Sequence, residues 1–180
     1  MTALPARTLS IEKLAARRGE RLLFADIDLT LGPGEAIELR GANGVGKTTL
    51  LLIVAGIVRA TAGQVRLEGG DPEQRWETEI GYLGHKSAIK PRLTVAENLR
   101  FWAKLGGASA DAVPAALETV GLATIGWLEA GNLSAGQTRR LALARLWVGE
   151  RPVWLLDEPT AALDSAGEAL VAGLIGRHLD

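Results

Sequence analysis

The sequence predicts one α/β domain with an inserted helical region, and three observations lead there. Glu35 to Arg40 reads as a short strand running straight into Gly41-Ala-Asn-Gly-Val-Gly-Lys-Thr48, after which Lys47 to Val58 reads as an apolar, buried helix. Val153 to Leu156 is a continuous apolar run, the pattern of a strand covered on both faces of a parallel sheet. Between them, from about residue 86 to 147, helix-capping signals and helical spacing dominate.

The elements follow in order. Thr8 to Leu14 and Arg21 to Leu31 read as strands joined by the polar turn Arg17-Arg-Gly-Glu20. Ile27, Leu29 and Leu31 alternate with Asp28 and Thr30, as a half-buried strand requires. Gln64 to Glu68 and Glu79 to Leu83 are further strands. Thr94-Val-Ala-Glu97 is a capping box opening a helix through Leu105, because the Thr hydroxyl and the Glu carboxylate can each satisfy an orphan N–H of the first turn. Asp111 to Val120 forms a second helix that tolerates Pro114 near its start. Ser134-Ala-Gly-Gln137 repeats the capping-box logic and starts a helix reaching Val148, and Ser165-Ala-Gly-Glu168 opens a last one. No repeat, low-complexity tract or linker divides residues 1–180.

Composition narrows the function. A chain of 180 residues with 47% apolar and 23% charged side chains suits one soluble globular domain. The net charge of −1 supplies no global attraction to nucleic acid or anionic lipid. There is no cysteine, hence no disulfide framework and no thiolate metal site. The N-terminal segment Met1 to Thr8 lacks the apolar core of a signal peptide. The most apolar window, Leu50 to Val58, contains Gly56 and falls far short of the roughly 20 residues of a membrane helix. Any membrane crossing associated with this chain is expected from another polypeptide.

Strand, glycine loop and helix in that order form an anion site. Gly41, Ala42, Asn43, Gly44, Val45 and Gly46 aim backbone N–H groups at one point, and the helix dipole at Lys47, Thr48 and Thr49 favours negative charge there. Lys47 is expected on the β- and γ-phosphates of a nucleotide, and the Thr48 hydroxyl on Mg²⁺. Val153-Trp-Leu-Leu-Asp157-Glu158 adds the acidic half. Asp157, at a buried strand end, can hold Mg²⁺ through water, and Glu158 is placed to orient or deprotonate an attacking water.

With these segments in hand, the chain resembles the ATP-binding cassette (ABC) nucleotide-binding domains, a family of phosphate-loop (P-loop) NTPases, over nearly its whole length. The order matches: phosphate loop, helical insertion, the signature peptide Leu133-Ser-Ala-Gly-Gln137, Asp157-Glu158, then the Ala162-Leu-Asp164 turn. The resemblance implies ATP and Mg²⁺ as ligands and two copies pairing head to tail. Ser134, Gly136, Gln137 and Asp164 of one copy would then meet the nucleotide held by the other. It also implies a membrane-embedded permease as partner, a peripheral position on the cytoplasmic face of the bacterial inner membrane, and no role for nucleic acid.

A narrower likeness rests on Gly81-Tyr-Leu-Gly-His85-Lys-Ser-Ala-Ile-Lys-Pro-Arg-Leu-Thr94, Glu97-Asn-Leu-Arg-Phe-Trp102 and Leu143-Ala-Arg-Leu-Trp147. These resemble the ATPase subunits that serve cytochrome c maturation, a haem-exporter subfamily. An ABC transporter for another substrate is the alternative; a soluble ABC protein acting on ribosomes or DNA fits less, without heptads or a basic excess. Direct haem ligation is not expected, since no Cys-x-x-Cys-His is present.

Three departures from the family pattern bear on activity. Where an aromatic side chain usually stacks on adenine, this chain has Ala15-Ala-Arg-Arg18, so an arginine plane stacks there or base recognition is weak. His85 stands at the usual Gln place, with Lys86 where the subfamily writes Gln after His; either side chain is a candidate to approach Mg²⁺ and the attacking water. The family's further strand and switch histidine do not follow the last helix, and His178 lies within that helix. The chain is therefore expected to be a fragment, with one sheet edge unpaired, and to bind nucleotide while turning it over slowly.

Overall fold

In a computed structural model, residues 4–70 and 75–180 are described; the first three residues of the N-terminal segment read above lie outside them. The chain divides into two compact units, residues 1–80 with 178–180, and residues 81–177.

The first unit is built on an antiparallel three-stranded sheet in the order β2-β1-β3, with β1 Thr8–Arg18, β2 Arg21–Leu31 and β3 Ala62–Glu68. The central strand buries Leu9 and Ile11 and then, past an irregularity, Leu14 and Ala16, which is why it runs four residues past the predicted end at Leu14. Ile11 sits opposite Leu29 on one side and Val65 on the other. The ladder slips beyond Glu12, where Lys13 takes a left-handed backbone (φ 46°). Asp28 stabilises that bulge, accepting from the Lys13 backbone N–H at 2.8 Å and from its ammonium at 2.7 Å. Gly63 fits against the bulge because a Cβ there would lie 2.4 Å from the Lys13 carbonyl oxygen.

Two expectations for this unit need correction. Glu35 to Arg40 is not assigned to a strand; among the described residues it joins no ladder, and Ile37 is 43% exposed. A strand-like segment becomes a strand only where a neighbour shares its hydrogen bonds, which the sequence does not specify. The helix after the glycine loop, α1, spans Lys47–Val54, not through Val58, and only Ile53 and Val54 are buried. Gly56 (φ 69°) turns the chain out of the helix, and the Ile57 N–H reaches back to the Leu52 carbonyl at 2.9 Å.

The second unit holds β4 Ile80–Leu83 paired with β5 Val153–Leu156, and between them in sequence the helices α2 Val95–Gly106, α3 Ala112–Thr119 and α4 Ala135–Val148. α4 is its centre: every residue from Leu141 to Leu146 is buried, and α2 and α3 pack against it. α5, Ser165–Leu179, adds Val171 and Leu174 to the same core. The Asp157 N–H donates to the Leu83 carbonyl at 2.8 Å, continuing the β4–β5 pairing one residue beyond the strands.

Candidate active site

The phosphate loop lies in the first unit. Gly44 (φ 77°) and Gly46 (φ 116°) take left-handed conformations that a side chain would strain. Gly46 is also pressed from outside, since a Cβ there would come within 3.1 Å of the Phe24 ring and 3.3 Å of Leu23. It caps α1, and no side-chain hydrogen bond closes that helix end. Lys47 curls back so that its ammonium donates to the Gly41 carbonyl at 2.7 Å and the Ala42 carbonyl at 3.1 Å. Ala42, Asn43, Val45 and Thr48 are exposed, with Thr49 partly buried. The Lys47 ammonium thus closes over the carbonyls of its own loop.

In the second unit, Asp157 and Glu158 follow β5 on a turn whose main chain is clamped by Arg139, a residue that no motif reading gives a role. The Arg139 guanidinium donates to the carbonyls of Asp157 (2.7 Å), Glu158 and Pro159 (3.1 Å), and to the Gly84 carbonyl at 2.9 Å. Arg139 is 7% exposed. Burial pulls its pKa below the usual arginine value, opposed by the nearby charges of Asp157 and Glu158. Glu158 itself has a left-handed backbone (φ 49°), which costs a non-glycine residue roughly 1–2 kcal/mol. Such a conformation persists only where its surroundings over-determine it, and Arg139 supplies the bonds.

Gly84 leads directly to His85. Both His85 and Lys86 are exposed, so the structure orders neither into a core. Tyr82 underlies this segment: a Cβ on Gly84 would fall 2.6 Å from the Tyr82 hydroxyl. Burial raises the Tyr82 pKa, and the Asp157 charge adds to the effect.

The signature residues come together. Ser134, Gly136 and Gln137 line a groove of about 410 Å³ with Arg140 and Asp164. The capping box at Ser134 is complete: its Oγ accepts from the Gln137 N–H at 3.2 Å, and Gln137 Oε1 accepts from the Ser134 N–H at 2.9 Å. Gly136 lies under the Ala162 carbonyl, 3.2 Å from where a Cβ would stand. Asp164, and not Ser165, caps α5, accepting from the Gly167 N–H at 2.8 Å. That bond, with the Arg140 guanidinium 3.4 Å away, holds the Asp164 carboxyl below the usual carboxylate range.

Around the candidate adenine position, the Arg17 guanidinium donates to the Glu20 carbonyl at 3.0 Å, an intrastrand-turn bond. Asn98, fully buried, is the other residue without a role in the sequence analysis; it fixes the segment between His85 and α2 through Lys90 and Leu93. No helix among the described residues is long and apolar enough to cross a membrane.

Comparison with known proteins gives the family. A family model described as ABC transporter matches residues 24–161. The cytochrome c biogenesis ATP-binding export protein CcmA of Rhizobium meliloti is 51% identical over 178 residues, covering 96% of this chain and 86% of that protein. The protein of the same name from Nitrobacter winogradskyi is 47% identical over 171 residues, covering 95% and 86%. Among solved structures, an ABC transporter ATP-binding protein from Pyrococcus furiosus superposes with a TM-score of 0.83 at 25% identity, over 96% of this chain and 86% of that one. Another, an ATP-binding subunit of an ABC transporter, gives 0.86 at 21% identity over 98% and 75%, a likeness of fold.

Proposed function

The chain belongs to the ABC transporter family, and from that premise we propose that it binds and hydrolyses Mg-ATP to drive a membrane complex serving cytochrome c maturation. The observation that carries the ATPase reading is the phosphate loop: left-handed glycines, a helix opened without a side-chain cap, and Lys47 turned onto its own loop carbonyls. A polyphosphate fits this cradle by exchanging those two carbonyl contacts for phosphate oxygens. The link to cytochrome c maturation is supported by relatives of that name, identical at about half of all positions along nearly the whole chain.

Each residue then has a task. Gly41 to Gly46 hold the phosphates through backbone N–H groups, Lys47 neutralises charge on the β- and γ-phosphates, and Thr49 extends the helix end that faces them. Thr48 offers a hydroxyl and Asp157 a carboxylate, each an oxygen donor of the kind that would serve Mg²⁺; the ion supplies charge neutralisation on the phosphates when bound. Glu158 orients and polarises the attacking water, and His85 is a second candidate to approach it. Lys86, in the place of an amide, makes turnover slow. Ser134, Gly136, Gln137 and Asp164 serve the nucleotide of a second copy in a head-to-tail dimer. The dimer docks on a permease at the cytoplasmic face of the inner membrane.

Two measurements test this. Glu158→Gln is expected to keep Mg-ATP bound while lowering turnover by about 10²–10⁴-fold, the usual contribution of a general base. The same variant, trapped closed in cells, is expected to co-purify membrane subunits of cytochrome c maturation. Recovery of a permease for another substrate would sink the cytochrome c assignment and leave the ATPase reading in place; unchanged turnover would sink the role of Glu158.

A further inference from the structure

We propose that Arg139 is a positioning residue that locks the Asp157-Glu158-Pro159 turn to the Gly84–His85 end of β4, so that the seat of α4 decides where the Glu158 carboxylate stands. The inference deepens, and rests on, the reading of Glu158 as the group that prepares the attacking water.

The geometry carries it in three ways. First, the guanidinium reaches four carbonyls on two separate segments, Gly84 on one side and Asp157, Glu158 and Pro159 on the other. A planar fork with five N–H donors can do this, whereas a lysine ammonium has three donors around one point. Every one of these bonds goes to main chain, so the clamp fixes the path of the turn itself. Second, Glu158 occupies a backbone conformation that needs such external bonds to persist (φ 49°). Without them the turn would relax, and the carboxylate would swing with its own Cα.

Third, Arg139 rides on the helix that Ser134 opens, five residues on, a separation of roughly 7.5 Å along a rigid rod. The groove residues Ser134 and Gly136 stand at the start of that rod. Any shift of α4 therefore reaches the Glu158 turn and Gly84 at once, with no intervening flexible link.

The test uses the full chain with Arg139→Gln and Arg139→Lys, first without nucleotide. By hydrogen exchange, amides of residues 84–86 and 157–161 are expected to exchange about tenfold faster or more in Arg139→Gln, while α2 and α3 keep their protection. The Asp157 N–H, bonded to Leu83, is the reporter. With Mg-ATP, nucleotide affinity and KM are expected to stay within about twofold while kcat falls about 100-fold, the scale of a small misplacement of a reacting group. In a Glu158→Gln background the Arg139 change is expected to lower kcat by less than about threefold further, because the two act as one unit. Arg139→Lys keeps the charge and is expected to recover only part of both losses; it also carries the test should Arg139→Gln not fold. Faster exchange spread over the whole unit, full recovery by Lys, or an unchanged kcat would overturn the proposal. Local exchange as expected in a chain whose wild type does not hydrolyse ATP would support the clamp and refute the catalytic reading of Glu158.

Discussion

Asn98 holds Lys90 by both edges of its amide, accepting from the Lys90 N–H at 2.8 Å and donating to the Lys90 carbonyl at 3.0 Å. The same NH₂ group reaches the carbonyls of Thr94 and Leu93, and the side chain is fully buried. The loop ahead of α2 is thereby pinned without any regular secondary structure. Asn98→Ala removes the partner of the Lys90 N–H, while the Lys90, Leu93 and Thr94 carbonyls keep the backbone N–H groups of Leu93, Ala130 and residue 98. The expected loss is about 2–3 kcal/mol in urea denaturation, with faster exchange at residues 90–93. A loss below half a kcal/mol would mean that water replaces the amide.

Ser134 and Thr94 perform the same local task, so their alanine variants separate stability from function. Each is expected to lose about 1 kcal/mol by removing a helix cap. Only Ser134→Ala is expected to lower Mg-ATP turnover in addition, since only Ser134 stands in the signature groove. Equal turnover in the two variants would argue that the Ser134 hydroxyl serves the helix alone.

The loop glycines are not equivalent. Gly44→Ala meets open space and should cost about 1 kcal/mol for its left-handed backbone. Gly46→Ala meets both the backbone penalty and the Phe24 ring, and is expected to cost about 2–3 kcal/mol and to weaken Mg-ATP binding more. Thermal denaturation and nucleotide titration of the pair check the order; a reversed order would show that the Phe24 contact yields freely.

The Asp164 carboxyl predicts an acid limb. Its folded pKa lies below the unfolded one, so its contribution is fully present above the unfolded value, near 3.9, and fades as pH falls through the depressed folded value. Asp164→Asn keeps a competent cap and removes the charge. The stability difference between wild type and Asp164→Asn is expected to be constant from about pH 5 to 7 and to shrink below about pH 4. A difference that does not change with pH would assign the whole effect to cap geometry.

What the sequence makes legible is local. The capping boxes at Thr94 and Ser134 lie within four residues and appear in the structure with both reciprocal bonds. Val153–Leu156 reads correctly because a fully apolar run has few alternatives. Arg139 escapes that kind of reading, since its partners lie 18 to 55 residues away in the chain. A signal for it exists nonetheless: Arg139, Leu143 and Leu146 share one helical stripe, and a cation on the apolar face of a buried helix must be spoken for. Glu35 to Arg40 shows the opposite failure, where strand-like composition meets no ladder partner among the described residues. Asp164 stands out by motif, yet its service as the cap of α5 depends on the helix starting one residue after it, a boundary that pattern alone leaves open.

The Ser134 hydroxyl spends one lone pair on the Gln137 N–H and keeps its proton to give. Cap and donor are thus roles that one oxygen fills at the same time. An anion settling at the head of α4 takes the proton without breaking the cap, so α4 moves only as a whole, and no refolding of the first turn separates the waiting form from the loaded one. The mould is cast before the metal is poured, and the speed of its filling is then a matter of how two rigid bodies meet.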